Sequence, residues 1–166
     1  MTADIFVRSS VQPLMDVVFR CLKEENWNYQ VVEPGALIRM GVRGERGTWI
    51  CYLRVAEGQR QVIFYAQMGM NIPPEKRAEV IEYLTRANYS LPVGGFEMDV
   101  DSGEIRFKNS LETPEGELSV AMVRALALTS LRVMDRYFMG VLSVVHRGLS
   151  PQAALAQVES QAVAPG

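Results

Sequence analysis

From Val11 onward the apolar residues Val11, Leu14, Met15, Val18, Phe19 and Leu22 recur at spacings of three and four, the stripe of a helix buried along one side. Ser9 or Ser10 can cap that helix, Pro13 is tolerated in its first turn, where no N–H is missed, and the stripe ends near Asn26. Between residues 27 and 68 the period shortens to two, as in strands with one buried face. Trp49, Cys51, Leu53 and Val55 share one face of a strand, and Val62, Phe64, Ala66 and Met68 share one face of the next. Matching apolar faces sets the register. Val55 then pairs with Val62 and Leu53 with Phe64 across a two-residue loop at Gly58 and Gln59, where glycine in the first position suits a type II′ turn. The same rule pairs Val42 with Trp49 and Ile38 with Leu53 around Gly44 to Gly47. It also pairs Val31 with Ile38 and Tyr29 with Met40 around Pro34 and Gly35. A four-stranded antiparallel meander follows.

Pro74 opens a second helix that runs to about Ala87, with Ala78, Ile81, Leu84 and Ala87 as its inner edge. After the loop Asn88 to Gly94, a hairpin turning at Ser102 and Gly103 sets Val100 against Ile105 and Met98 against Phe107. Its other face pairs Asp99 with Arg106 and Glu97 with Lys108. Thr113 and Pro114 announce a long helix over roughly 115 to 147, ended by Gly148 as a C-cap. Ser150 and Pro151 start a short last helix carrying Ala154, Leu155 and Val158. The expected fold is α/β of the α+β kind: an antiparallel sheet of about six strands with three to four helices, in the order α-ββββ-α-ββ-α-α. No repeat or linker interrupts it, so residues 1–166 read as one domain.

Composition narrows the function classes. A formal charge of −2 gives no overall attraction for nucleic acid or acidic membranes, so neither is expected as a partner. Cys21 and Cys51 are too few and too far apart for a disulfide framework and read as reduced core thiols, which points to a cytoplasmic protein. Met1 to Ser10 has no apolar run of the signal-peptide kind, and the most apolar stretch, 118 to 145, is broken by Arg124, Arg132, Asp135 and Arg136.

Chemistry-bearing residues are sparse. His146 is the only histidine, and at a helix end beside Arg147 it suits the helix dipole rather than a catalytic pair. Asp99, Asp101 and Glu104 distantly resemble a calcium loop, but strand alternation resumes at once. Gly41, Gly44 and Gly47 are followed by a strand, whereas a phosphate loop leads into a helix. Arg39, Arg43 and Arg54 between Tyr52 and Tyr65 could form a stacking platform for single strands, a reading the acidic balance disfavours. No catalytic, metal or cofactor site is expected, and the chain reads as a non-enzyme.

The outward face of the meander is more informative. Val32, Leu37, Ile50, Tyr52, Ile63 and Tyr65 all fall there, mixed with Arg39, Arg54 and Gln67. A sheet face turned to water should be mainly polar, so this much apolar and aromatic surface points to a contact. The expected protein-binding residues are Tyr52, Tyr65, Ile50, Ile63, Leu37, Arg39 and Arg54, with self-association the simplest way to cover them.

The segment Arg86-Ala87-Asn88 through Leu91-Pro92-Val93-Gly94-Gly95-Phe96-Glu97-Met98-Asp99, with Asp101-Ser102-Gly103-Glu104-Ile105-Arg106-Phe107 after it, resembles the helix, loop and hairpin of YbjN-like proteins. Asp135-Arg136-Tyr137-Phe138, Val145 and Gly148-Leu149-Ser150-Pro151-Gln152-Ala153-Ala154 are similar to that family's closing helix and Ser-Pro cap. The element order also resembles that of type III secretion chaperones. Met139 stands where the family is expected to carry proline, which marks a divergent branch rather than a secretion role. The resemblance covers about the C-terminal half. It implies a non-catalytic, commonly dimeric bacterial domain that binds a protein partner in a chaperone-like or regulatory way, and it carries no catalytic residue with it. The competing expectation is a small-molecule sensor with a methionine-lined pocket between sheet and helices.

Overall fold

Pro13 precedes the first helix of the computed structural model, which describes residues 12–161; Ser9, Ser10 and Val11 lie outside the described residues. Helix α1 (Leu14–Glu24) is followed by β1 (Gln30–Glu33), β2 (Leu37–Arg43), β3 (Thr48–Ala56), β4 (Gln61–Asn71) and α2 (Arg77–Ser90). Then come β5 (Gly95–Met98), β6 (Glu104–Glu112), α3 (Val120–Arg147) and α4 (Pro151–Ser160). The six strands form one antiparallel sheet in the order β1-β2-β3-β4-β6-β5. The order of elements is the one expected from the hydrophobic pattern.

The meander register follows the matched faces. Val31 lies opposite Ile38, Ile38 opposite Leu53, Val42 opposite Trp49, Leu53 opposite Phe64 and Val55 opposite Val62. Pro34 and Gly35 form the first turn, with Ala36 N–H donating to the Glu33 carbonyl at 3.1 Å and Gly35 at φ 72°. The β3–β4 connection differs from expectation. Residues Glu57–Gln59 form a 3₁₀ turn, and the positive φ falls on Arg60, at 52° in the left-handed region, rather than on Gly58. A four-residue loop replaces the two-residue one without changing the register, because it is centred on the same place.

The inward residues Ile38, Met40, Trp49, Cys51, Leu53, Phe64, Ala66, Ile105 and Phe107 are buried beneath the helices. Helix α3 lies across β4 and β6, α2 packs on β5, and α1 and α4 flank α3. Trp49 meets Phe138 edge-on at 4.9 Å, and Phe96 meets Tyr137 at 5.8 Å. Arg124 of α3 forms ion pairs with Glu24 and Glu25 at the end of α1. Asp135 of α3 accepts the backbone N–H groups of Glu45 at 3.1 Å and Arg46 at 3.2 Å, which ties the β2–β3 turn to the helix layer. Both cysteines are free and buried, and burial pushes the Cys51 thiol up to about 12. A thiol so placed is a core side chain rather than a nucleophile.

Three local expectations are corrected. Helix α2 buries Val80, Tyr83, Leu84 and Ala87, while Ala78 and Ile81 are exposed. Residues Pro74–Lys76 form a 3₁₀ turn before the helix, and the Tyr83 hydroxyl donates to the Tyr137 carbonyl at 2.9 Å, so this aromatic can be buried with its polar end satisfied. The β5–β6 hairpin pairs Met98 with Ile105, Glu97 with Arg106 and Phe96 with Phe107, two positions from the expected register. An even slip keeps Met98, Ile105 and Phe107 inward and Glu97, Arg106 and Lys108 outward, but Val100, expected opposite Ile105, moves into the turn and is 57% exposed. Its cause is Asp99, whose carboxylate accepts the Asp101 N–H at 3.0 Å and the Ser102 hydroxyl at 2.9 Å and so winds residues 99 to 103 into a wider turn. The same bonds, that from the Asp101 amide first, hold the Asp99 carboxyl below the usual carboxylate range. Finally, α3 begins at Val120 instead of about 115, because β6 continues to Glu112 and the N-cap is Ser119, whose hydroxyl accepts the Met122 N–H at 3.2 Å. Gly148 ends α3 in the left-handed conformation, and Ser150 caps α4 with Pro151 in its first turn, both as expected.

Candidate functional site: the outer sheet face

Strand alternation places Leu37 and Arg39 of β2, Ile50, Tyr52 and Arg54 of β3, and Ile63, Tyr65 and Gln67 of β4 on the face away from the helices. Antiparallel pairing turns them into three cross-strand rows. The central row runs Arg39, Tyr52, Tyr65 and Lys108, with Tyr52 directly opposite Tyr65. One neighbouring row holds Leu37, Arg54, Ile63 and Ser110, and the other holds Ile50, Gln67, Arg106 and Glu97. Two adjacent tyrosines are thus edged by cations on both sides. Leu37, Arg39, Ile50, Tyr52, Ile63 and Tyr65 are half-buried and Arg54 is exposed. Val32 lies at the β-bulge of the edge strand β1 and is 53% exposed.

The sequence did not foretell what β6 brings to this face. The Arg106 guanidinium sits 4.8 Å from the centre of the Tyr65 ring, in reach of a cation–π contact. Glu97 orients it from β5 at 2.8 Å and also pairs with Lys108. The adjacency of β4 and β6 crosses helix α2 and β5 in the chain, so no local pattern announces it. Between the rows lies a shallow groove of about 230 Å³ lined by Leu37, Tyr52, Arg54, Tyr65, Gln67 and Arg106.

Burial alone would raise the Glu97 carboxyl, but the hydrogen bonds from Lys108 and Arg106 together outweigh it and hold the pKa below the ordinary value. A depressed carboxyl contributes stability that is present above its unfolded pKa and is lost as pH falls through its folded pKa. The pairs are exposed to water, so the contribution is about 0.2 to 1 kcal/mol. Glu97→Gln is expected to lower the melting temperature slightly at neutral pH. That difference from the parent should vanish in acid, as thermal melts across a pH series would register.

Other residues singled out from the sequence take structural places. His146 is exposed in the last turn of α3. Gly44 and Gly47 lie against the Trp49 ring at the β2–β3 turn. Met15, Met40, Met68 and Met134 are buried in the core between sheet and helices. No helix is long and apolar enough to cross a membrane among the described residues.

The family model of YbjN, described as "Putative bacterial sensory transduction regulator", matches residues 15–143. The crystal structure of YbjN from E. coli, described as "a putative transcription regulator", is similar with a TM-score of 0.55 at 11% identity, covering 89% of this chain and 93% of that one. The structure of the HopA1-SchA chaperone-effector complex is similar with a TM-score of 0.47 at 14% identity, covering 74% of this chain and 90% of that one. No curated protein matches. At 11% identity the YbjN structure speaks for the fold alone.

Proposed function

This chain belongs to the YbjN family, and from that premise we propose that it is a regulatory protein acting through protein contacts, with the outer sheet face as its contact surface and a second copy of the chain as the occupant. The observation that carries the proposal is the Tyr52–Tyr65 pair at the centre of an apolar patch edged by Arg39, Arg54 and Arg106. Interfaces concentrate their energy in central aromatic and arginine residues surrounded by weaker contacts. Both signs of charge edge the face. The β2 and β3 side of the face carries Arg39, Arg43 and Arg54, while the β5 and β6 side carries Glu97, Glu104 and Glu112 beside Arg106 and Lys108. A two-fold axis parallel to the strands and between β3 and β4 lays Tyr52 of each copy over Tyr65 of its mate, which puts the aromatic pair at the centre of the contact.

Tyr52→Ser combined with Tyr65→Ser tests the face. Neither ring belongs to the buried core, so the variant is expected to melt within a few degrees of the parent while its solution mass falls from twice the chain's 18.6 kDa to a single copy. Sedimentation equilibrium reads both masses. A parent that is monomeric at micromolar concentration, or a folded variant that keeps the doubled mass, would overturn the proposal.

A further inference from the structure

On the helix side of the molecule, away from the outer sheet face, a pocket of about 200 Å³ opens between the β2–β3 turn, α3 and the end of α4. Arg46 reaches it from the turn, Arg132 and Arg136 reach it from successive turns of α3, and Val158 of α4 supplies an apolar wall. We propose that this pocket binds a phosphate monoester, the three guanidiniums taking the phosphate and the adjoining groove the organic part.

The charge balance at the pocket favours an anion although the whole chain is slightly acidic. Two acids, Glu45 and Asp135, also line it. Asp135 is already engaged, since its two oxygens accept the backbone N–H groups of Glu45 and Arg46. A Cβ built on Gly44 would lie 2.4 Å from those oxygens and 2.5 Å from Trp49 Nε1, a buried donor without a hydrogen-bond partner among the described residues. The Asp135 carboxylate is thus held by two backbone amides, and Arg46, Arg132 and Arg136 form no salt bridge with it, with Glu45 or with Glu159 among the described residues. Arg136 is further placed by the Tyr137 ring, whose centre lies 5.3 Å from its guanidinium. Arginine forks match phosphate oxygens in pairs and carry their charge at every working pH.

The pocket does not end at the arginines. Arg46, Val158 and Gln161 are shared with a second hollow of about 120 Å³ that adds Met139, Ser143 and Gln157 and ends at Arg147. An anion site continued by a wall of Val158 and Met139 fits an ester better than the bare ion. It also links the ligand to the fold, because Arg46 and its neighbour Glu45 donate the two amides that hold the β2–β3 turn on α3.

Phenyl phosphate, inorganic phosphate and benzenesulfonate are suitable probes, titrated calorimetrically into the full chain at low ionic strength. The expected result is phenyl phosphate binding at roughly 1 mM or tighter, with inorganic phosphate weaker and the singly charged sulfonate weaker still. Arg132→Gln combined with Arg136→Gln should weaken phenyl phosphate binding by about tenfold or more, the loss expected when charge-assisted hydrogen bonds are removed. Arg20→Gln with Arg86→Gln, exposed on α1 and α2 and outside both the pocket and the outer sheet face, should leave it unchanged. Circular dichroism melts confirm that both variants are folded. Equal binding by the two variants, a sulfonate that binds as well as the phosphate ester, or no heat at about 10 mM phenyl phosphate would each overturn the proposal. Loss of dimer mass in the tyrosine variant bears on the outer face only, so the two proposals fail separately.

Discussion

Gly140→Ala is expected to destabilise the protein by roughly 2 to 5 kcal/mol, although alanine is the better helix former by about 1 kcal/mol. Gly140 lies within α3, and the space its missing side chain leaves is filled by Tyr83 of α2. A Cβ there would stand 2.0 Å from the Tyr83 hydroxyl oxygen and 2.3 Å from Cζ of the ring. The ring cannot swing aside cheaply, because Tyr83 is fully buried and its hydroxyl donates to the Tyr137 carbonyl. Displacing it overpacks the contact and strands a buried hydroxyl whose pKa burial already pushes up. The check is a double-mutant cycle by denaturant unfolding. Tyr83→Ala costs about 3 to 5 kcal/mol on its own through the cavity it leaves. On that background Gly140→Ala should turn neutral or stabilising, since the clash is gone and only helix propensity remains. A Gly140→Ala penalty of the same size in both backgrounds would show that Tyr83 is not the cause.

This contact also marks where sequence reasoning stopped. The period of α2 is legible, but of the edge Ala78, Ile81, Leu84 and Ala87 only the last two are buried, joined by Val80 and by Tyr83, an aromatic that can be buried only where its hydroxyl finds a partner. The partner is a backbone carbonyl 54 residues away, which no local pattern can show. The meander was legible for the opposite reason. Trp49, Cys51, Leu53 and Val55 have one arrangement against Val62, Phe64, Ala66 and Met68 that buries both sets, and neighbouring strands joined by short turns leave little else to decide. The seven residues offered as a contact surface fall on one face for the same reason, being the alternate positions of those strands. Arg106 and Lys108 were missed because their place beside Tyr65 depends on β6 lying next to β4. The arginine pocket was likewise out of reach. Arg46 stands 86 positions before Arg132, and they meet through tertiary contacts, the Trp49–Phe138 packing and the Asp135 hold on the β2–β3 turn.

Gly103→Val should cost about 3 kcal/mol or more, while Glu104→Gln beside it should change stability by less than about 0.5 kcal/mol. Gly103 adopts φ 78°, a region in which a β-branched side chain is strained on its own account. Packing adds a second obstacle. A Cβ would lie 2.2 Å from the Ile72 carbonyl oxygen and 2.8 Å from its nitrogen, and these are backbone atoms that cannot rotate away. The approach is close because the Ile72 N–H donates to the Gly103 carbonyl at 2.8 Å, joining the β5–β6 turn to the chain that leads from β4 into α2. Arg77 holds the same junction, donating to the carbonyls of Ile72, Val100 and Asp101 at 2.9 to 3.0 Å. Separating the turn from Ile72 therefore breaks a small network of backbone and guanidinium bonds rather than a single contact. Gly103→Ala distinguishes the two causes. If the close approach dominates, alanine should lose most of what valine loses, since the clash begins at Cβ. If conformational strain on a branched side chain dominates, alanine should be much milder. Unfolding curves in urea for the three variants decide it, and equal tolerance of Gly103→Val and Glu104→Gln would mean that the turn does not pack on Ile72 at all.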